Sequence, residues 1–292
     1  MINKIDILNS DDDLIVSIDN EATDFVLDTA DFGAIKAIHY SNNNVSQIGV
    51  KINATNLRER DITIVGWIVG ETPEAISERK KLLNANINPM QMMKLRYLEY
   101  TIEFKAKETI KYSAKYKDNN DYMCKFQLSL ECPYPLFKRE NENKTLIANV
   151  VPTFRFPLTL KPEGITMGVK QNSLIANVRN RGSVEVGMRI VFRATGTVEN
   201  PSIIKINDQT IFKIKKTLVS GETIEVISIA NKIGVIGRLN GEELNYFKYI
   251  DLDNDWLKLS LGDNFLRYDA ESNIDALEVD IYHQDEFLEV QE

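Results

Sequence analysis

The sequence predicts a mainly β protein with a minor α element, arranged as two domains, and three observations carry that reading. From Tyr122 to Glu131 residues alternate, with Tyr122, Cys124, Phe126, Leu128 and Leu130 on one face and Met123, Lys125, Gln127, Ser129 and Glu131 on the other. Period two is what a half-buried strand requires, because successive side chains point to opposite faces. Beyond residue 150 short apolar runs recur between turn residues with no helical pattern among them, which is the signature of an antiparallel sandwich. Between the two regions, Lys138 to Asn149 is polar and aperiodic, as expected of an exposed linker. Taking about 150 residues per domain, the 292 residues make two, and we place the boundary between 1–145 and 146–292.

In the first domain Ile35–Tyr40, Gln47–Ala54 and Asp61–Val69 are rich in Ile and Val, which suits a pleated, partly buried surface. After Gly70 the pattern changes. Thr72 is an N-cap, Pro73 fits the first helical turn, Glu74 favours the positive end of the helix dipole, and Pro89 follows the close. Ala75, Ile76, Arg79, Leu82, Leu83 and Ile87 have helical spacing, so a helix over Pro73–Asn86 is expected to pack one stripe on the sheet. Strands are expected again at Leu95–Lys107 and Thr109–Lys117. The alternating strand then stops at Cys132-Pro133-Tyr134-Pro135, where two prolines remove backbone donors and end the sheet.

In the second domain strands are expected at Phe154–Leu160, Ser173–Val178, Val184–Ala194, Ser202–Ile206, Thr210–Lys215, Thr223–Ile229, Ile233–Leu239, Asp255–Leu259 and Ala276–His283. Asn240-Gly241 is the sharpest local signal: both residues tolerate positive φ, and a type I′ turn matches the twist of a hairpin. It predicts that 233–239 pairs with 242–249.

With 43% hydrophobic and 27% charged residues the composition is that of a globular protein. The net charge of −8 argues against a chain that grips nucleic-acid phosphates, whose affinity would rest on clustered Lys and Arg. The first residues do not read as a secretory signal, and the longest apolar stretch, Ile62–Gly70, falls short of the roughly twenty residues of a membrane span; we therefore expect a soluble chain with no membrane partner. Cys124 and Cys132 on one strand would lie roughly 27 Å apart, too far for a disulfide, and are expected as reduced core residues. His39 and His283 are the only histidines, which leaves a metal site short of ligands.

Asp251, Asp253 and Asp255 begin like a calcium loop, but Trp256 stands at the position that needs Gly and Gly262 at the one that needs Glu, so a solvated turn is expected. No phosphate loop, nucleophile elbow or two-histidine zinc motif occurs, and no carboxylate pair stands out for sugar hydrolysis. We expect no catalytic residue and no cofactor. Tyr246, Phe247, Tyr249 and Trp256 could form a sugar-stacking platform or lie in the core, and we expect at least two of the four inside.

Taken in order, certain segments resemble phage distal tail proteins over nearly the full length. They are Arg60 to Gly70, the helix with Arg79-Lys80-Lys81-Leu82-Leu83, and Phe126 to Phe137; then Asn180-Arg181-Gly182, Ala194-Thr195-Gly196 with Asn200-Pro201-Ser202-Ile203, and Trp256-Leu257-Lys258-Leu259 followed by Leu261-Gly262-Asp263-Asn264. The resemblance implies a hexameric ring-forming N-terminal domain that continues the tail tube, and a galectin-like antiparallel β-sandwich at the C-terminus. It implies a virion tail-tip location, the tube protein above and the tail-associated hub protein below. In some relatives the sandwich holds receptor-binding proteins or contacts saccharide, although no sugar-binding residue transfers. The family's last strand returns to the ring domain in some members, so the end of the second domain is left open after about residue 283.

On this reading the protein is a non-enzymatic structural adaptor of a phage or prophage tail tip. Ile62, Ile64, Trp67 and Ile68 are expected in the sheet or the ring interface, Leu82 and Leu83 in helix packing, and Tyr246, Tyr249 and Trp256 as candidate glycan or partner contacts, with Trp256 also a sandwich anchor. A ring made by rotation needs two different patches that meet, and exposed strand edges of the first domain suit that contact. Six copies at −8 sum to −48, and acidity lining a channel would let DNA pass without specific binding. The alternatives are a carbohydrate-binding module and a glycan hydrolase.

Overall fold

The computed structural model describes residues 4–22, 24–42, 48–147, 149–152, 168–171, 175–251 and 253–290, and for 149–152 and 168–171 the backbone only. Two compact units make up the chain, one of Met1–Glu140 with Phe287–Glu292 and the other of Asn141–Glu286. The strand expected at Phe154–Leu160, and the first residues of those at Gln47–Ala54 and Ser173–Val178, lie outside the described residues.

The first unit contains β1 (Lys4–Leu8), β2 (Leu14–Asp19), β3 (Phe25–Asp31), β4 (Ala37–Asn42), β5 (Lys51–Leu57), β6 (Arg60–Val69), α1 (Pro73–Asn86), β7 (Met93–Tyr97), β8 (Tyr100–Ala106), β9 (Lys111–Tyr112), β10 (Met123–Cys132) and β11 (Phe137–Arg139). Its main sheet runs in the order Glu286–Phe287, β11, β8, β7, β1, β2, β3, β6, β10, β9, and a further pairing of β8 with β10 closes the middle strands on themselves. The longest ladder pairs β6 with β10 from Arg60↔Cys132 to Val69↔Met123. Period two then places Ile62, Ile64 and Ile68 beside Cys124, Phe126, Leu128 and Leu130 in one core. Thr72 accepts the Ala75 N–H at 3.2 Å, and the helix buries Ile76 and Leu83. Both cysteines are free and buried, and burial pushes the Cys132 thiol up to about 12.

Several expectations need correction. β1, β2 and β3 are absent from the sequence reading because each carries only two or three inward apolar residues, such as Ile5 and Ile7, among charges. Leu95–Lys107 is not one strand but the hairpin β7–β8, turning where Leu98 takes φ +54°. Thr109–Lys117 keeps only the two-residue β9. The sheet does not end at the proline cluster, and the expected linker is largely paired: β11 joins β8, and Asn143–Leu146 joins Leu277–His283. A ladder is made by backbone groups, so polar side chains do not disqualify an edge strand.

The second unit is a sandwich of two antiparallel sheets. One contains Asn143–Leu146, Leu277–His283, Arg189–Ala194, Thr223–Ile227, Gly234–Leu239 and Glu242–Asn245; the other contains Ile175–Asn180, Gly262–Asp269, Ser202–Lys205 and Thr210–Lys213. Their inner residues, among them Ile190, Phe192, Ile224, Val279, Ile203 and Leu266, form one apolar cluster. Asn240 and Gly241 have φ of +53° and +83°, and Leu239 pairs with Glu242, as a type I′ hairpin requires.

Gly262–Asp269 is a central strand that hydropathy does not mark. Its inward Asn264 is fully buried while Phe265 faces out at 43% exposure. The amide is tolerated inside because it accepts the Ser260 N–H at 2.9 Å and donates to Ser260 O and Gly262 O at 2.8 and 3.1 Å.

Candidate functional site

The most conspicuous surface feature of the first unit is the hairpin β4–β5. Among the described residues it pairs only with itself, every residue of β5 is exposed, and in β4 only Ile38 is half-buried. Tyr40 and Ile52 are each 52% exposed and Val50 58%. A lone two-stranded hairpin is marginal in water, and apolar side chains exposed on one make it a candidate contact surface. Between Ala34 and Arg58 the sequence has Lys36, Lys51 and Arg58 and no Asp or Glu, within a chain of net charge −8. An acid-free run of this length is a signal that the strand and helix patterns above pass over.

A buried arginine fixes the base of this arm. Arg60, the first residue of β6, has no exposed surface. Its Nη1 donates to Phe32 O and Gly33 O, each at 3.2 Å, its Nε donates to Pro135 O at 2.9 Å, and its Nη2 donates to Leu288 O. The guanidinium lies 4.7 Å from the centre of the Phe137 ring and 3.4 Å from the exposed Glu289 carboxylate. A planar fork of five donors is what ties several separate carbonyls together. Gly33 has φ +60°, and a Cβ there would fall 2.0 Å from Asp61 O, so the chain turns into the arm where only glycine fits.

A second surface of this unit is a cleft of about 580 Å³. One wall is the β1–β2 turn, with Asn9, Asp11 and Ile15; the other is the end of α1 and the segment leading into β7, with Asn86, Met92 and Met93. Among the described residues no Lys or Arg lines it. The last turn of α1 has no basic residue, which leaves the negative end of the helix dipole uncompensated within the helix. Asp12 beside the cleft is paired with Lys94 at 2.6 Å. Leu14, Met90 and Met92 are exposed at 55%, 84% and 40%, and unbranched methionines are common on adaptable binding surfaces.

The residues singled out from sequence divide sharply. Ile62, Ile64, Ile68 and Leu83 are core, at no more than 1% exposure, so none offers a face to another molecule. Trp67 is on the opposite face of β6 with the Lys125 ammonium 5.0 Å from its ring. Leu82 does not pack under the helix: it is 42% exposed, because the buried stripe runs through Ile76, Leu83 and Ile87.

In the second unit, Tyr246 is buried and lies against Gly237, where a Cβ would come within 2.1 Å of the ring. Its hydroxyl donates to Glu222 at 2.8 Å, and burial together with that carboxylate pushes it up to about 12. Burial alone would raise the Glu222 carboxyl; the Lys216 ammonium at 2.6 Å, the Val219 N–H and the Tyr246 hydroxyl outweigh it and hold it below the usual value. Tyr249 meets Tyr246 edge-on at 5.2 Å. Trp256 is flanked by Phe212 at 5.1 Å and Phe247 at 6.1 Å. One of the four aromatics is fully inside and Phe247 is outside at 52%, while Tyr249 and Trp256 are partly buried against the core. Packing consumes most of this group, and Trp256 has two aromatic neighbours. Asp251 pairs with Lys215 at 3.0 Å, and among the described residues no group of His, Cys, Asp and Glu is placed to hold a metal ion.

Comparison with known proteins matches residues 181–287 to the family of the siphovirus-type tail component, C-terminal domain. The crystal structure of the SPP1 Dit protein, described as a paradigm of the hub adsorption apparatus in phages infecting Gram-positive bacteria, superposes with a TM-score of 0.68 at 12% identity, covering 97% of this chain and 99% of that one. A chain of the phage P2 baseplate in its calcium-activated conformation gives a TM-score of 0.49 at 10% identity, covering 97% and 98%. No curated protein matches the sequence. Residues 181–287 thus match the siphovirus-type tail component, C-terminal domain, in a chain that shares the fold of the SPP1 Dit protein over 97% of its length.

Proposed function

We propose that the protein is a non-enzymatic structural adaptor of a phage tail tip, in which the first unit joins its own copies in a six-membered ring between tail tube and hub, and the second unit presents a β-sandwich to host-recognition components. The observation that carries the self-assembly is the β4–β5 arm: an apolar, acid-free hairpin held at its base by Arg60 and paired with nothing else among the described residues. The fold shared with SPP1 Dit supports the location and the adaptor role. The net charge of −8 per copy supports a channel through which DNA slides without being held.

The test is mass in solution. Six copies of 33.3 kDa give about 200 kDa for a closed ring. If the chain is monomeric by itself, negative-stain images with the tube or hub protein of the same particle decide, and single copies in both settings would refute the ring. Burial of Tyr246 and the flanking of Trp256 by two rings count against the glycan-binding alternative.

A further inference from the structure

We infer that the β4–β5 arm of one copy docks into the cleft between the β1–β2 turn and the end of α1 on the next copy. The inference rests on the ring reading and names the two surfaces that close it. A ring made by rotation requires a heterologous contact, one patch against a different patch, and the first unit carries two such patches of opposite character. The arm has Lys36, Lys51 and Arg58 and no acidic residue from Ala34 to Arg58. The cleft has Asp11 in its lining, no Lys or Arg there among the described residues, and the end of α1 without a basic residue in its last turn.

Apolar character matches as well as charge. The arm displays Tyr40, Val50 and Ile52; the cleft is lined by Ile15, Met92 and Met93, and the exposed Leu14 and Met90 are next in sequence to its lining residues Ile15 and Gln91. Leu82, which the buried stripe of α1 leaves in solvent, lies one turn before Asn86 and on the same helix face. Covering the arm would stabilise a hairpin that is marginal when bare, and opposite charge at the two surfaces would guide encounter and set register.

Engineered disulfides in the full chain test this. Cys124 and Cys132 are fully buried, so introduced thiols are the accessible ones. Tyr40→Cys is combined with Met92→Cys, and Ile52→Cys with Met90→Cys; each single variant is the control, and circular dichroism checks the fold. After mild oxidation of the assembled protein, at least one combination is expected to give a ladder of covalent multimers on a non-reducing gel, which the single variants cannot extend beyond a pair. As a second measurement, Lys51→Glu is expected to weaken association about two- to fivefold, as suits an exposed charge pair, and Asp11→Lys added to it to restore most of that loss. Assembly to the mass of six copies with no ladder from either combination and no restoration would overturn the docking while the ring stands. A chain that stays single at every concentration and beside its tail partners would overturn both.

Discussion

Replacing Arg60 with Met removes the charge and all five donors while keeping most of the side-chain volume, and so measures the contribution of the anchor. Four backbone carbonyls, those of Phe32, Gly33, Pro135 and Leu288, lose a donor at once. Hydrogen bonds from a charged group are worth about 1.5–3 kcal/mol each, and the relief of a buried guanidinium offsets several kcal/mol of that sum. The net expectation is a loss of about 3–5 kcal/mol, the range found when one partner of a buried charged cluster is removed. For a unit of about 150 residues each kcal/mol moves the midpoint by roughly 2–4 °C, so the first unit should melt roughly 10 °C lower. The chain has two tryptophans, Trp67 in the first unit and Trp256 in the second. In a Trp256→Phe background, therefore, Trp67 fluorescence reports the first unit alone. The second unit, followed by circular dichroism, should be unmoved. A Trp67 transition within about 2 °C of the parent would show that the carbonyls find other partners and that Arg60 anchors nothing.

Three further outcomes are expected from the geometry. Gly237→Ala places a methyl within about 2 Å of the Tyr246 ring, and overpacking of this kind costs about 1–3 kcal/mol; urea unfolding of the second unit should show it, and an unchanged midpoint would mean the ring moves freely. Tyr40→Asp with Ile52→Asp alters exposed positions, so the midpoint of the first unit should stay within about 0.5 kcal/mol of the parent while self-association is lost; a variant that still assembles would remove the arm from the interface. Burial holds the His283 ring below its ordinary value of 6.5, against the opposing pull of Asp285 and the Arg179 carbonyl. The unfolded chain accepts a proton that the folded one resists, so stability is full above about pH 6.5 and declines as pH falls below it. His283→Gln should flatten that decline between pH 7.5 and 5.5 in denaturant titrations, and equal slopes for both proteins would locate the pH dependence elsewhere.

The β class, the helix from Pro73 to Asn86 with its Thr72 cap, the strand over Met123–Cys132 and the Asn240-Gly241 turn were all legible because each is dictated locally. Period, capping and positive φ are properties of a few consecutive residues. Strands whose inward residues break the hydropathy rule were not legible. Asn264 is inside because Ser260 and Gly262 satisfy its amide, and residues 143–146 form a strand because Leu277–His283 supplies its ladder; both partners are remote in sequence or invisible to hydropathy. For the same reason the apolar positions of β6 and α1 do not by themselves separate core from surface. Ile62, Ile64, Ile68 and Leu83 went inside, while Leu82, one position along, stayed in solvent.

By itself the sequence determined where the backbone alternates, where it coils into a helix and where it turns, together with a net charge unsuited to holding DNA. It also contained an acid-free basic stretch from Ala34 to Arg58 without saying what that stretch was for. Only the tertiary structure decided that β4 and β5 in this stretch pair with nothing but each other among the described residues, and that Arg60 is buried under carbonyls from three other parts of the chain. Exposure and hydrogen-bond satisfaction depend on which distant segments arrive at a residue, and no local pattern encodes that arrival.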